Sequence, residues 1–279
     1  MNILEWFRIV VIGIVEGITE WLPVSSTGHM ILLDAIWDTS EPEIMTDAFW
    51  EMFEVVIQLG AIMAVVTIFW HKLWPFGKRS KKEQVQTLEL WKKVIIGCLP
   101  AAILGLLLDD LMNTYLYNEY VVAAMLILYG IIFILIEEVY RGRVFALERI
   151  EGLTYKTAFL IGCVQVLSLI PGTSRSGVTI IGAILLGCSR TVAAEFTFFL
   201  AIPVMFGASG LKLVKYLLEG TVLSGVQIAV MIVGMIVAYL VSIVSIRFLM
   251  DYVKKHDFKI FGWYRIALGI LVLVYFMIF

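Results

Sequence analysis

Two short polar runs interrupt segments otherwise too apolar to contain them. The first is Glu16-Gly17-Ile18-Thr19-Glu20-Trp21-Leu22-Pro23-Val24-Ser25-Ser26-Thr27-Gly28-His29. Glu16 and Glu20 stand four apart, so a helix puts them on one face. Two carboxylates on one face in a low dielectric share a proton or bind a cation. A hard ion such as Mg²⁺, or Ca²⁺, suits one or two carboxylates completed by water and phosphate oxygens. The plainer alternative is an interfacial glutamate pair at the start of a membrane helix. Pro23 stops the first arm, and Ser25, Ser26 and Thr27 can cap a second one. A helix N-terminus offers free N–H groups to an anion. A serine there can also attack phosphorus when a neighbour removes its proton, whereas simple capping is the plainer role for any one hydroxyl. His29 is set apart from His71 and His256, which adjoin lysines in basic loops. Within a turn of the serines and glutamates, it reads as an acid or base.

The second run is Pro171-Gly172-Thr173-Ser174-Arg175-Ser176-Gly177. Arg175 cannot be neutralised, and its planar fork matches phosphate oxygens. Gly172 and Gly177 permit tight turns, while Thr173, Ser174 and Ser176 supply donors, as in an anion nest. A structural ion pair of Arg175 with Glu54 or Glu195 is the competing reading. Glu54 opens the span after the first run. Gln58 and Gln165 are membrane-embedded amides whose default role is packing glue. Together these residues describe a membrane site for a polyanion.

The elements that must hold them follow from composition. The chain has 279 residues, is 61% hydrophobic and only 16% charged, and has a mean hydropathy of +0.95. This is the profile of an all-α polytopic membrane protein. A net charge of −2 gives no argument for a nucleic-acid partner. Cys98, Cys163 and Cys188 lie in apolar segments without metal spacing and read as buried reduced thiols. A span needs about 20 mostly apolar residues. Six segments qualify: Phe49–Trp70, Trp91–Leu108, Tyr120–Glu138, Ala193–Leu217, Leu223–Leu249 and Phe261–Phe279. Residues 3–37 and 155–187 instead read as two re-entrant hairpins, each made of short apolar arms around a Pro/Gly/Ser bend. Such backbone is tolerated at membrane depth only against protein or a wet cavity.

Basic loops around Lys72–Lys93, Arg141–Lys156 and Lys254–Arg265 belong inside by charge bias, opposite the acidic connection of Asp109, Asp110 and Glu119. That choice puts both termini and the first hairpin outside, with the second hairpin dipping in from the cytoplasm. Lys212 and Lys215 then fall awkwardly at an outer end. The count also makes residues 1–140 and 150–279 two inverted repeats within one membrane domain, a plan that builds one site from both halves. The span Ile228–Ser242, which contains Gly234, is a candidate for a homodimer contact.

The first run, the second run, and the segments Phe53–Gly60 and Glu195-Phe196 resemble the signatures of the bacterial undecaprenyl-diphosphatase, or bacitracin-resistance, family over essentially the whole chain. The resemblance implies a cell-membrane enzyme that hydrolyses undecaprenyl diphosphate to undecaprenyl phosphate for peptidoglycan synthesis. It further implies an inverted repeat, a divalent-metal requirement, a pocket toward the outer face, and bacitracin resistance. By the same resemblance Ser26 is the favoured nucleophile and Arg175 the phosphoryl clamp. Glu16 and Glu20 become metal ligands or base, and His29 an acid/base. Ser25, Thr27, Gly172, Thr173, Ser174 and Ser176 become phosphate contacts, with Glu54, Gln58, Gln165 and Glu195 as secondary groups. Whether Ser26, His29 or water attacks phosphorus stays open. A polyprenyl-phosphate transporter or flippase fits the same architecture, but it would need Arg175 and no nucleophile.

Overall fold

The computed structural model describes residues 3–37, 46–219 and 222–278, except the side chains of residues 47, 109, 110 and 113. The acidic connection's Asp109 and Asp110 therefore lie outside the described side chains. The first arm pair is α1 (Ile3–Thr19) and α2 (Ser26–Ile36). Then come α3 (Asp47–Val56), α4 (Gln58–Ile68), the one-turn α5 (Trp70–Leu73), α6 (Lys81–Tyr115) and α7 (Glu119–Val139). The second half runs α8 (Tyr155–Gln165), α9 (Arg175–Leu185), α10 (Arg190–Leu218), α11 (Gly225–Tyr252) and α12 (Lys259–Ile278). Among the described residues six stretches are long and apolar enough to cross a membrane: 48–68, 81–108, 119–139, 190–218, 225–252 and 259–278.

Local chemistry explains most boundaries. Ser80 and Ser224 open α6 and α11 with reciprocal boxes to Glu83 and Gln227, and Asn118 and Ser189 cap α7 and α10. Each cap gives an orphan N–H a side-chain oxygen where the intrahelical ladder has not begun. The span 48–68 is two helices, broken at Ile57. Pro100 and Pro203 lie within α6 and α10, where neighbouring helices can re-satisfy freed backbone groups.

The contacts of the two arm pairs are compatible with hairpins that turn back within the bundle. α1 lies along α11 in the same direction: Gly13 faces Val237, and Gly17 faces Ala238 and Val241. α2 then runs back, so that Ala35 accepts a hydrogen bond from the Tyr275 hydroxyl near the end of α12, at 3.1 Å. In the second half α8 lies along α6. A Cβ on Gly162 would stand 2.0 Å from the Gly97 carbonyl oxygen, so only glycine allows that approach. α9 runs back to the opposite end, where Tyr140 donates to the Leu185 carbonyl and Leu147 bridges to Cys188.

The second hairpin's end is also where the basic loops gather. Arg190 bonds Glu137, Lys259 pairs with Glu138, Lys93 donates to the Glu151 carbonyl, and Lys72 pairs with Glu195. At the other end Lys212 pairs with Glu51 at 2.9 Å. One of the two lysines that charge counting found awkward thus has an acidic partner at hand.

Two sequence expectations change. Cys163 is exposed, while Cys98 and Cys188 are buried, because Cys163 lies on the outward face of α8. Arg265, assigned to a basic loop, is fully buried within α12. The apolar run beginning at Phe261 draws it into the bundle.

Candidate active site

The two bends are built alike. α1 ends at Thr19, whose hydroxyl turns back to the Val15 carbonyl at 2.8 Å. Ser25 caps α2 with left-handed backbone (φ 75°) and accepts from the Gly28 N–H. In the second bend Ser174 caps α9 with φ 72° and accepts from the Gly177 N–H at 3.2 Å. These are the two non-glycine residues with positive φ among the described residues. Such a conformation costs ~1–3 kcal/mol and persists where the surroundings over-determine it, often at functional sites. One numbering shift carries Gly13 to Gly162, Glu16 to Gln165, Ser25 to Ser174, Ser26 to Arg175 and Gly28 to Gly177. The hydroxyl of Ser26 and the guanidinium of Arg175 therefore occupy equivalent first-turn positions of two helices.

Glu20 joins them. Ser26 donates from Oγ to Glu20 Oε2 at 3.0 Å, and Arg175 donates from Nη2 to Glu20 Oε1 at 2.8 Å. Arg175 also donates from Nη1 to the Thr197 carbonyl at 3.3 Å. Its ion-pair partner is thus Glu20, rather than Glu54 or Glu195; Glu195 is buried and paired with Lys72 at 2.5 Å. Ser176 donates to the Leu22 carbonyl at 3.4 Å, stitching the second bend to the first, and lies 3.3 Å from Ser174 Oγ. Thr173 is buried with no partner for its hydroxyl, and Gly172 takes φ 85° against Val122. Thr27 adjoins Ser26, half-buried.

His29 stands one turn along α2 and faces another way. Its Nδ1 lies 2.7 Å from the Ser25 carbonyl, which can only accept, so Nδ1 holds a proton. Nε2 lies 2.7 Å from the Tyr264 hydroxyl, with the rings stacked. A neutral imidazole in this tautomer accepts from Tyr264. Ser26 instead has Glu20 as its side-chain partner.

Glu16 is 1% exposed, and its Oε1 has no partner. With both Glu20 oxygens occupied, Glu16 has the free carboxylate oxygen of the pair. No group of three or more His, Cys, Asp or Glu suited to a metal occurs among the described residues. The donor set fits an ion that takes one or two carboxylates plus water and substrate oxygens, the habit of Mg²⁺. Glu54 is half-buried with Oε1 unpartnered, and Gln58 is half-buried at the start of α4. Gln165 is fully buried with neither amide atom bonded.

Sequence reading missed Tyr264 and Arg265. The rule that singled out Arg175, a cation inside an apolar run, also applies to Arg265, but nearby Lys254, Lys255 and Lys259 disguised it.

The chain is similar to known proteins over nearly its whole length. The family described as bacitracin resistance protein BacA matches residues 9–271. A Desulfitobacterium hafniense protein named undecaprenyl-diphosphatase is 55% identical, covering 99% of this chain and 98% of its own. Enterococcus faecalis and Streptococcus thermophilus proteins of that name are 52% and 54% identical, each covering 98% of this chain and 98% and 94% of their own. With its two capped bends, its six apolar spans and this extent of similarity, the chain belongs to the bacitracin resistance protein family.

Proposed function

We propose that this protein is an undecaprenyl-diphosphatase. It is a membrane hydrolase that converts undecaprenyl diphosphate to undecaprenyl phosphate and inorganic phosphate. This returns the lipid carrier to peptidoglycan synthesis and confers bacitracin resistance. The observation that carries the residue assignment is Glu20 holding Ser26 on one oxygen and Arg175 on the other.

Ser26 Oγ attacks the terminal phosphorus while its proton passes to Glu20 Oε2. The bond from that phosphorus to the bridging oxygen breaks, and undecaprenyl phosphate leaves. Water then attacks the phosphoserine, Glu20 returns the proton to Ser26 Oγ, and dihydrogen phosphate departs. A positioned base within hydrogen-bond reach of the nucleophile is worth ~10²–10⁴ in rate. Arg175 stabilises charge on the equatorial oxygens, which dominates phosphoryl transfer. Glu20 compensates the guanidinium charge at 2.8 Å, so an arriving diphosphate shares Arg175 with the base. The N–H groups of the first turns of α2 and α9, with Thr27, Thr173, Ser174 and Ser176, supply further donors. His29 donates from Nδ1 to the Ser25 carbonyl, and any proton reaching its Nε2 comes through Tyr264.

Glu16, with its free Oε1, is the residue that would hold Mg²⁺, which when bound would neutralise charge on the diphosphate oxygens; Glu20 would join it only on releasing Ser26 or Arg175. The equivalent bends support reading the halves as inverted repeats with two re-entrant hairpins. The gathering of basic loops at one end supports a pocket that opens from the outer face, where the first hairpin begins and the prenyl chain lies among the lipid-facing spans.

The test is phosphate release from undecaprenyl diphosphate by purified protein with Mg²⁺. Ser26→Ala should abolish turnover while leaving substrate binding intact. Full turnover in that variant would leave direct attack by water. No release by the wild-type chain would favour lipid-phosphate transport.

A further inference from the structure

The chemistry of Ser26, Glu20 and Arg175 leaves one buried cation unused. Arg265 lies about two turns into α12, is 0% exposed, and has no carboxylate in ion-pair range among the described residues. Such a charge is costly unless its surroundings satisfy it. Here the surroundings are backbone oxygens. Nη1 donates to the Pro23 carbonyl at 3.3 Å. Nη2 donates to the carbonyls of Gly172 and Thr173, each at 2.9 Å, and lies 3.4 Å from that of Met125 on α7. The guanidinium also sits over the Tyr129 ring at 5.9 Å.

The choice of acceptors is specific. Pro23 precedes Ser26 by the same interval as Gly172 precedes Arg175, so the two carbonyls are equivalent positions of the two bends. Irregular backbone at membrane depth has no water to satisfy it, and both N-cap serines hold left-handed backbone just downstream. One planar group with several fixed donors can bind both bends at once, whereas a lysine ammonium is a point charge without that fork.

We infer that Arg265 is the positioning residue of the site. It clamps the bend that bears Ser26 to the bend that bears Arg175, and so fixes the nucleophile and its base relative to the phosphoryl clamp. Arg265 acts through those residues and does not touch the reacting atoms. The inference rests on the diphosphatase reading.

The experiment compares full-length wild type, Arg265→Lys and Arg265→Gln in detergent with Mg²⁺ and undecaprenyl diphosphate. It measures kcat, KM and thermal unfolding, with rates expressed per folded protein. Misplacement by about 1 Å is enough to cost ~10²-fold, so kcat should fall by that order in Arg265→Gln. Arg265→Lys should fail to restore it, while KM stays within about threefold, because uniform binding is untouched. Folded Arg265→Gln with wild-type kcat overturns the inference. So does a rise in KM at unchanged kcat, which would mean direct phosphate contact. A Lys variant with full activity shows that the charge alone suffices and also overturns it. If Gln does not fold, Lys decides; failure of both to fold would make Arg265 a general fold determinant and reject the positioning role. Wild type that releases no phosphate rejects the phosphatase reading instead.

Discussion

Glu20 has two partners with opposite demands. In the proposed mechanism Ser26 needs an oxygen that can take a proton, and Arg175 needs one that compensates its charge; one carboxylate offers an atom to each. A glutamine there would present an amide donor to a donor on one side. Glu20→Gln should therefore lower kcat by on the order of 10²–10⁴, the range for losing a general base, measured as phosphate release at saturating substrate. A rate near wild type would remove Glu20 from proton transfer. Glu16 differs, because its free Oε1 has no protein donor to hold. Glu16→Gln should mainly raise the Mg²⁺ concentration needed for half-maximal rate, read from a metal titration in which wild type and Arg175→Lys serve as references. Arg175→Lys should lose about 10²–10³ in kcat, the scale of one preorganised transition-state donor, without that shift in metal demand.

At the scale of elements, the hairpins depend on closeness to their neighbours. Gly162 on α8 meets the Gly97 carbonyl on α6 too tightly for any side chain. Gly162→Val should separate α8 from α6, displace the second bend and reduce the yield of folded protein, read by monodispersity and thermal unfolding in detergent. An equally stable variant would show that α8 is not held by this contact. Much of this layer was legible in the chain. Pro23 and Pro171 marked the bends, Ser25 was among the cap candidates of the restarted helix, and Arg175 was conspicuous because hydrocarbon tolerates charge so poorly. The partners of those residues were not legible. Glu20 rather than Glu54 meets Arg175, and Tyr264 meets His29, because such pairs depend on how distant helices pack and no local spacing encodes packing. Arg265 was hidden for the same reason: only the pairing of α12 with α7 and both bends turns a loop-flanking cation into a buried one.

At the scale of the whole molecule, the two ends are chemically unlike, and that difference should set the direction of the site. The basic end collects Lys78, Arg143 and Lys255, all exposed, beside the ties between Arg190 and Glu137 and between Lys93 and Glu151. The opposite end holds the ends of α6 and α10, with Tyr117 and Glu219 exposed. Positive loops favour the cytoplasmic side. Single cysteines at Lys78, Arg143 or Lys255 should therefore react with a membrane-impermeant maleimide only after the cells are opened. Cysteines at Tyr117 or Glu219 should react on intact cells. Cys98, Cys163 and Cys188 are replaced by alanine in the background, since the exposed Cys163 would otherwise give its own signal. If all five positions labelled from the same side, the end-to-end assignment of the loops would fail. If the pattern came out reversed, the loops would stay paired as described, but the first hairpin would open toward the cytoplasm. The diphosphate would then have to reach Ser26 and Arg175 from the side opposite to the one proposed.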